Sequence, residues 1–183
     1  MTEDYKILKG TVRSMYGSVF WSHKIQEKQA EIYANKYRHM ETINIVCSAA
    51  VGVGVLSLFF ADCLIIKLLS AIVSFASAFI AAYFKSFDLK ELSKDNKKAA
   101  LKLLGIRDEL KFLLMMIKAE KSNFEILSSE YKEIIKRLDS IYLEAPNTSE
   151  KAVELARIAL EVNKDNEITD EEINRNLPEE LRD

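Results

Sequence analysis

Residues with chemical potential stand in only a few places along the chain. Glu161, Asn163, Asp165, Glu167, Thr169 and Glu172 occupy relative positions 1, 3, 5, 7, 9 and 12, with Ile168 at position 8. That is the oxygen-ligand spacing of a calcium loop. Two letters depart from it: Glu161 stands where Asp is usual, and Asn166 where Gly makes the sharp turn. An acidic loop leading into a helix capped by Thr169 and Glu172 accounts for the same residues. His23 and His39 have no Cys, Asp or Glu arranged around them as zinc ligands, and both read as solvated helix residues. Cys47 and Cys63 would lie about 24 Å apart along a helix, too far for a disulfide within one chain. Neither has the histidine surroundings of a nucleophile, and no Gly-rich phosphate loop follows a strand. The residues therefore predict no catalytic site and no cofactor.

A different kind of site is spelled by small residues. Asn44, Ser48, Gly52 and Val55 fall on one face of a helix, and Ser70, Ser74, Ser77 and Ala81 on one face of the next. Small residues four apart let membrane helices approach closely, where dispersion and interhelical hydrogen bonds replace the hydrophobic drive. These faces are expected to pack, or to line a narrow pore if several copies gather around an axis, since one hairpin encloses nothing.

The elements that must position these faces begin with two apolar stretches. Residues 42–61 carry no charge, and neither do residues 68–84. A helix rising about 1.5 Å per residue needs roughly 20 apolar residues to cross the hydrocarbon layer. The expected spans are about 42–61 and 64–84, the second requiring Lys67 to extend its ammonium to the headgroups. The turn near Asp62 and Cys63 is very short, which makes the helices antiparallel neighbours. Lys24, Lys28, Lys36 and Arg38 precede the pair, and Lys85, Lys90, Lys94, Lys97, Lys98 and Lys102 follow it. By the positive-inside rule both termini are cytoplasmic, which predicts a multi-pass protein of the cell membrane.

Around this hairpin the chain is charged and helical. It has 183 residues, 30% of them charged, with five Gly and two Pro. Residues 1–143 hold 21 basic and 16 acidic side chains, and residues 144–183 hold 5 and 12. A basic region beside an acidic tail suits attraction to anionic headgroups. Lys and Glu alternate without a one-signed stripe, which argues against nucleic-acid binding. Residues 1–20 are weakly patterned, with Gly10 and Gly17 as breaks. A helix is expected from an N-cap at Ser22, with Ile25, Ala30, Tyr33, Tyr37 and Met40 on its apolar side, running directly into the first span. Beyond the hairpin, Leu89, Leu92, Asn96, Ala99, Leu103, Ile106, Leu110, Leu113, Ile117, Glu120, Phe124, Leu127, Tyr131, Ile134, Leu138 and Ile141 follow a three-four spacing without a slip. This marks a coiled-coil seam. A capping box from Ser122 to Glu125 favours two helices over one rod. Pro146 ends the region, and a helix capped by Thr148 or Ser149 follows to about Val162, its inner face Ala152, Leu155, Ala156 and Ala159.

The predicted fold is all-α: an N-terminal cytosolic segment and helix (1–41), a two-helix transmembrane hairpin (42–84), extended amphipathic, coiled-coil-like cytosolic helices (85–143) and an acidic helical tail (144–183). The order of parts resembles the SLATT family, the SMODS- and SLOG-associating two-transmembrane effectors. Trp21, Lys24, Glu27, Lys28 and Ala30 precede the first span, Ala99-Ala100 lies in the long amphipathic region, and Pro146 and Leu177-Pro178-Glu179-Glu180-Leu181 close the chain. The likeness covers roughly residues 14–182. It implies a bacterial pore-forming effector of a nucleotide-signal or phage-defence system, with no catalytic residue. The implied partners are the lipid membrane, further copies of the chain, and a nucleotide-sensing or signal-synthase protein. A non-conducting membrane scaffold that recruits partners through its coiled coil is the alternative.

Overall fold

The computed structural model describes residues 3–57, 64–119, 123–165 and 175. The described residues are helical throughout: α1 Glu3–Ser57, α2 Leu64–Ser86, α3 Leu89–Ala119, α4 Phe124–Glu144 and α5 Glu150–Arg157, which runs on into a π-helical turn, Ile158–Val162. Among them no helix is long and apolar enough to cross a membrane. The apolar stretch 42–61 continues past Ser57 into residues outside the description, and Lys67 interrupts the second stretch.

α1 overturns the expected start at Ser22. It is one helix of 55 residues, and neither Gly10 nor Gly17 breaks it. Ser22 caps nothing; its hydroxyl shares a 3.0 Å hydrogen bond with the Tyr142 hydroxyl of α4. The cause is tertiary packing, which readily outweighs the modest helix penalty of a glycine. Tyr5, Leu8, Val12, Met15 and Val19 are three and four apart, and all are buried or half-buried in one core with α3 and α4. The same spacing continues through His23, Gln26, Ala30, Tyr33, Tyr37, Met40, Asn44, Cys47 and Val51, each buried or half-buried. A single seam thus follows α1 from end to end. The step from Val19 to His23 adds one residue to the heptad, which keeps the stripe from drifting off its neighbours.

The partners of that seam change along its length. α3 and α4 cover its N-terminal part, α5 its middle and α2 its end. α3 runs antiparallel to α1, with the Ser93 hydroxyl donating to the Ala30 carbonyl at 2.9 Å. α4 returns antiparallel to α3, as the pairs Lys102–Glu144, 2.5 Å, and Glu109–Arg137 show by their opposite order along the two helices. Leu103, Leu110, Leu113, Ile117, Leu127, Ile134 and Leu138 are buried almost completely between them. The long apolar row after the hairpin therefore forms two helices of a local bundle, with the described break before Phe124. Its N-cap is Asn123, whose side chain accepts from the Glu125 amide. Glu120 and Ser122 lie outside the described residues.

α4 ends at Glu144 because Ala145 precedes Pro146 and takes an extended conformation, φ −65° and ψ 133°. Ser149 then caps α5 through its hydroxyl, which accepts from the Ala152 amide at 3.3 Å. Of the expected inner face, Ala152, Ala156 and Ala159 are buried and Leu155 half-buried.

Candidate functional site

Two polar clusters interrupt this apolar architecture, one in the hairpin and one in the middle of α1. In the hairpin, the Ser77 hydroxyl of α2 donates to Asn44 Oδ1 of α1 at 3.2 Å and stands 3.4 Å from the Ser48 hydroxyl. Asn44, Ser48 and Ser77, from the two faces expected to meet, are thus brought together within one chain. Gly52 and Ser74 are exposed and Ser70 half-buried. Val55 lies in the stretch whose side chains are not described. The half-buried residues of this part of α1 are Met40, Asn44, Cys47 and Val51, and those of α2 are Ser70, Val73, Ala76, Ser77, Ile80 and Tyr83. The contact stripe therefore includes Cys47 and Val51, one position away from Ser48 and Gly52. At the hairpin base Lys36 donates to the Tyr83 hydroxyl at 2.7 Å, its ammonium 5.2 Å from the ring centre.

Large apolar side chains cover the outside of the same hairpin. Ile43, Ile45, Val46 and Val53 of α1, with Leu64, Ile65, Leu68, Leu69, Ile72, Phe75 and Phe79 of α2, are all exposed. A continuous band of this kind is unusual on a protein surface facing water and marks contact with lipid or with another protein.

The second cluster is built where α1 meets α3 and α5. His23, Lys24, Gln26 and Gln29 of α1 and Asn96 of α3 are all buried, so the expectation that His23 is solvated is overturned; His39 is exposed. The expected apolar side of this stretch is also corrected. Ala30 is buried and Ile25, Tyr33, Tyr37 and Met40 are half-buried, while the fully buried residues from His23 to Gln29 are polar. Gln29 Oε1 accepts from both the amide and the hydroxyl of Ser149, at 2.8 Å each. Gln26 Nε2 donates to the Pro146 carbonyl at 3.0 Å. Lys24 lies 3.1 Å from Glu27 and 3.4 Å from Asp165.

The electrostatics follow from burial. Desolvation disfavours the imidazolium of His23 and, aided by Arg107, Lys24 and Lys97, lowers its pKa despite the opposing pull of Glu27. Burial raises the Glu27 carboxyl, but the hydrogen bond and charge of Lys24 outweigh it and hold the group below its ordinary value. His23 Nδ1, Gln26 Oε1 and Asn96 Oδ1 are buried without a hydrogen-bond partner among the described residues. Part of the cluster carried a sequence signal: His23 and Gln26 fall where the spacing of Tyr5 to Val19 continues.

The oxygen-rich loop at the C-terminal side is only partly within view. Glu161, Asn163 and Asp165 are exposed, and Asp165 is paired with Lys24. Glu167, Thr169 and Glu172 lie outside the described residues, as do Cys63 and Leu177–Leu181. Among the described residues no group of His, Cys, Asp and Glu could hold a metal ion.

The sequence likeness carried by Trp21, Lys24, Glu27, Lys28 and Ala30 now has a structural counterpart. Trp21 is half-buried beside Gly17, buried Lys24 pairs with half-buried Glu27, Lys28 bonds Glu31 at 3.0 Å, and Ala30 receives Ser93. Residues 8–172 match the family described as SMODS and SLOG-associating 2TM effector domain family 4. The chain belongs to that family. No curated protein and no solved structure matches it. Among the described residues, α2, α3, α4 and α5 all pack against the long first helix.

Proposed function

We propose that this SLATT-family effector is embedded in the bacterial cell membrane through its hairpin, gathers into oligomers, and opens a path across the membrane in response to a nucleotide-signal or phage-defence partner. The observation that carries the reading is the exposed apolar band from Ile43 to Phe79 on two antiparallel helices. Left in water, that surface would drive aggregation; against lipid it is satisfied. The 23 residues of α2 rise about 34 Å, comparable with the roughly 30 Å hydrocarbon layer. Residues 58–61 would complete the first span, and Lys67 would reach the headgroups. Lys85, Lys90 and Lys94 at the base suit a cytoplasmic face rich in anionic lipid.

The chemistry supplied here is positional rather than catalytic. The polar groups at the seam are Asn44, Ser48, Ser70 and Ser77. In a conducting assembly they would turn from partners within one hairpin toward a common axis, trading hydrogen bonds with one another for bonds to water. One observation favours the rival reading of a non-conducting scaffold: Asn44, Ser48 and Ser77 already bond one another within the chain. Induced expression in cells carrying a voltage-sensitive dye separates the two. Depolarisation is expected of the effector; intact potential under every triggering condition, with insertion confirmed, favours the scaffold.

A further inference from the structure

α5 is held on α1 differently from α3 and α4. Its fully buried side chains are three methyl groups, those of Ala152, Ala156 and Ala159, with Leu155 and Leu160 half-buried, whereas α3 and α4 bury whole rows of Leu and Ile. Apolar stabilisation scales with buried area, so this hold is weaker than that of α3 or α4. The rest of the attachment is polar: Gln26 to Pro146, Gln29 to Ser149, and Lys24 to Asp165. The surface under α5 on α1 is correspondingly polar. If α5 leaves, water meets two glutamines and a lysine rather than a leucine patch, and solvates them readily.

The end of the segment is conformationally loaded. After Arg157 the helix widens into a π turn, in which the Asn163 amide reaches back to the Ile158 carbonyl at 2.9 Å and the Asp165 amide to Ala159 at 3.0 Å. π turns are rare and recur at places with a functional use. Lys164 closes the segment in the left-handed region, φ 55°, where a glycine is the usual occupant. This closure delivers Asp165 to Lys24.

We infer that residues 150–162 form a latch that docks on and leaves α1 while the bundle of α1, α3 and α4 stays folded. The seat, Lys24 to Gln29, lies on the same unbroken helix as Asn44 of the hairpin seam, about 27 Å further along. Docking and release therefore act on the element that enters the hairpin. That consequence rests on the membrane-effector reading; the latch itself does not.

Amide hydrogen exchange on the full chain in detergent micelles tests it. Amides of residues 152–162 are expected to exchange as a group, about tenfold or more faster than those of Leu103–Leu113, as a separately opening unit does. Gln29→Ala should speed the α5 amides further and leave α3 and α4 unchanged. Ala156→Leu, too large for its seat, should do the same by another route. Protection of α5 equal to that of α3, or a Gln29→Ala effect spread evenly over all helices, would overturn the latch. The membrane potential of cells expressing Gln29→Ala is a separate readout. No response there would count against the effector reading and leave the exchange result standing.

Discussion

Asn96 is completely buried in a row otherwise made of Leu, Ile and Ala; its Nδ2 donates to the Leu92 carbonyl at 2.7 Å, while Oδ1 has no partner among the described residues. An unsatisfied buried acceptor costs stability that a leucine, with the same branching and no polar atom, would not. Asn96→Leu is therefore expected to raise the thermal midpoint, and a fall would mean that Oδ1 is satisfied by water. Gln29 presents the opposite case, because removing it strands two donors of Ser149. Gln29→Ala should weaken the docking of α5 by about 1–3 kcal/mol, read as faster amide exchange in α5. His23 sets a pH dependence. Its folded pKa lies below the ordinary 6.5, so below pH 6.5 the unfolded chain takes up a proton that the folded chain refuses. Stability must fall as pH drops through that window and level off beneath the folded value. Glu27, held below 4.5 when folded, stabilises above that pH and loses its contribution as the pH falls through its folded value. A urea midpoint that drops between pH 7 and 5.5 in the parent chain, and much less in His23→Gln, is expected; equal drops would remove His23 as the cause.

At the scale of elements, α3, α4 and α5 were legible because apolar side chains, caps and Pro146 all pointed the same way. Leu103 to Ile117 and Leu127 to Ile141 kept their spacing, and Ser149 and Ala152 fell where the pattern placed them. The break was legible in position, while the cap moved to Asn123, whose shorter reach to the Glu125 amide competes well with a serine one residue earlier. Asn123→Ala should lower stability by about 1 kcal/mol, read as a shifted urea midpoint with unchanged slope. The first twenty residues were misread because Gly10 and Gly17 drew attention from the Tyr5 to Val19 spacing. An added Cβ at either glycine would meet nothing within 4 Å, and the entropic cost of each, about 1 kcal/mol, is outweighed by the buried Tyr5 to Val19 face. The polar middle of α1 was hidden for a different reason. Lys24, Gln26 and Gln29 take their partners from residues 146–165, more than a hundred positions away, and no local pattern announces those partners. In the hairpin, residue types told which faces were small but not their rotation, hence the shift from Ser48 and Gly52 toward Cys47 and Val51.

For the molecule as a whole, one helix carries the design. α1 takes up α3 and α4 on an apolar seam, α5 on a polar one and α2 on a small-residue one, and family membership assigns this arrangement to a two-helix effector domain. The core bundle gives the chain a folded body, and the exposed band of the hairpin gives it a surface that water does not suit. The measurement that bears most directly on the function is ion flux from sealed liposomes reconstituted with the full chain, compared with Ser77→Leu, which removes the polar group shared by both hairpin helices. Flux that rises with protein density and is lost in Ser77→Leu is expected. Liposomes that stay tight at every density, with the hairpin shown to be inserted, would contradict a membrane-opening effector.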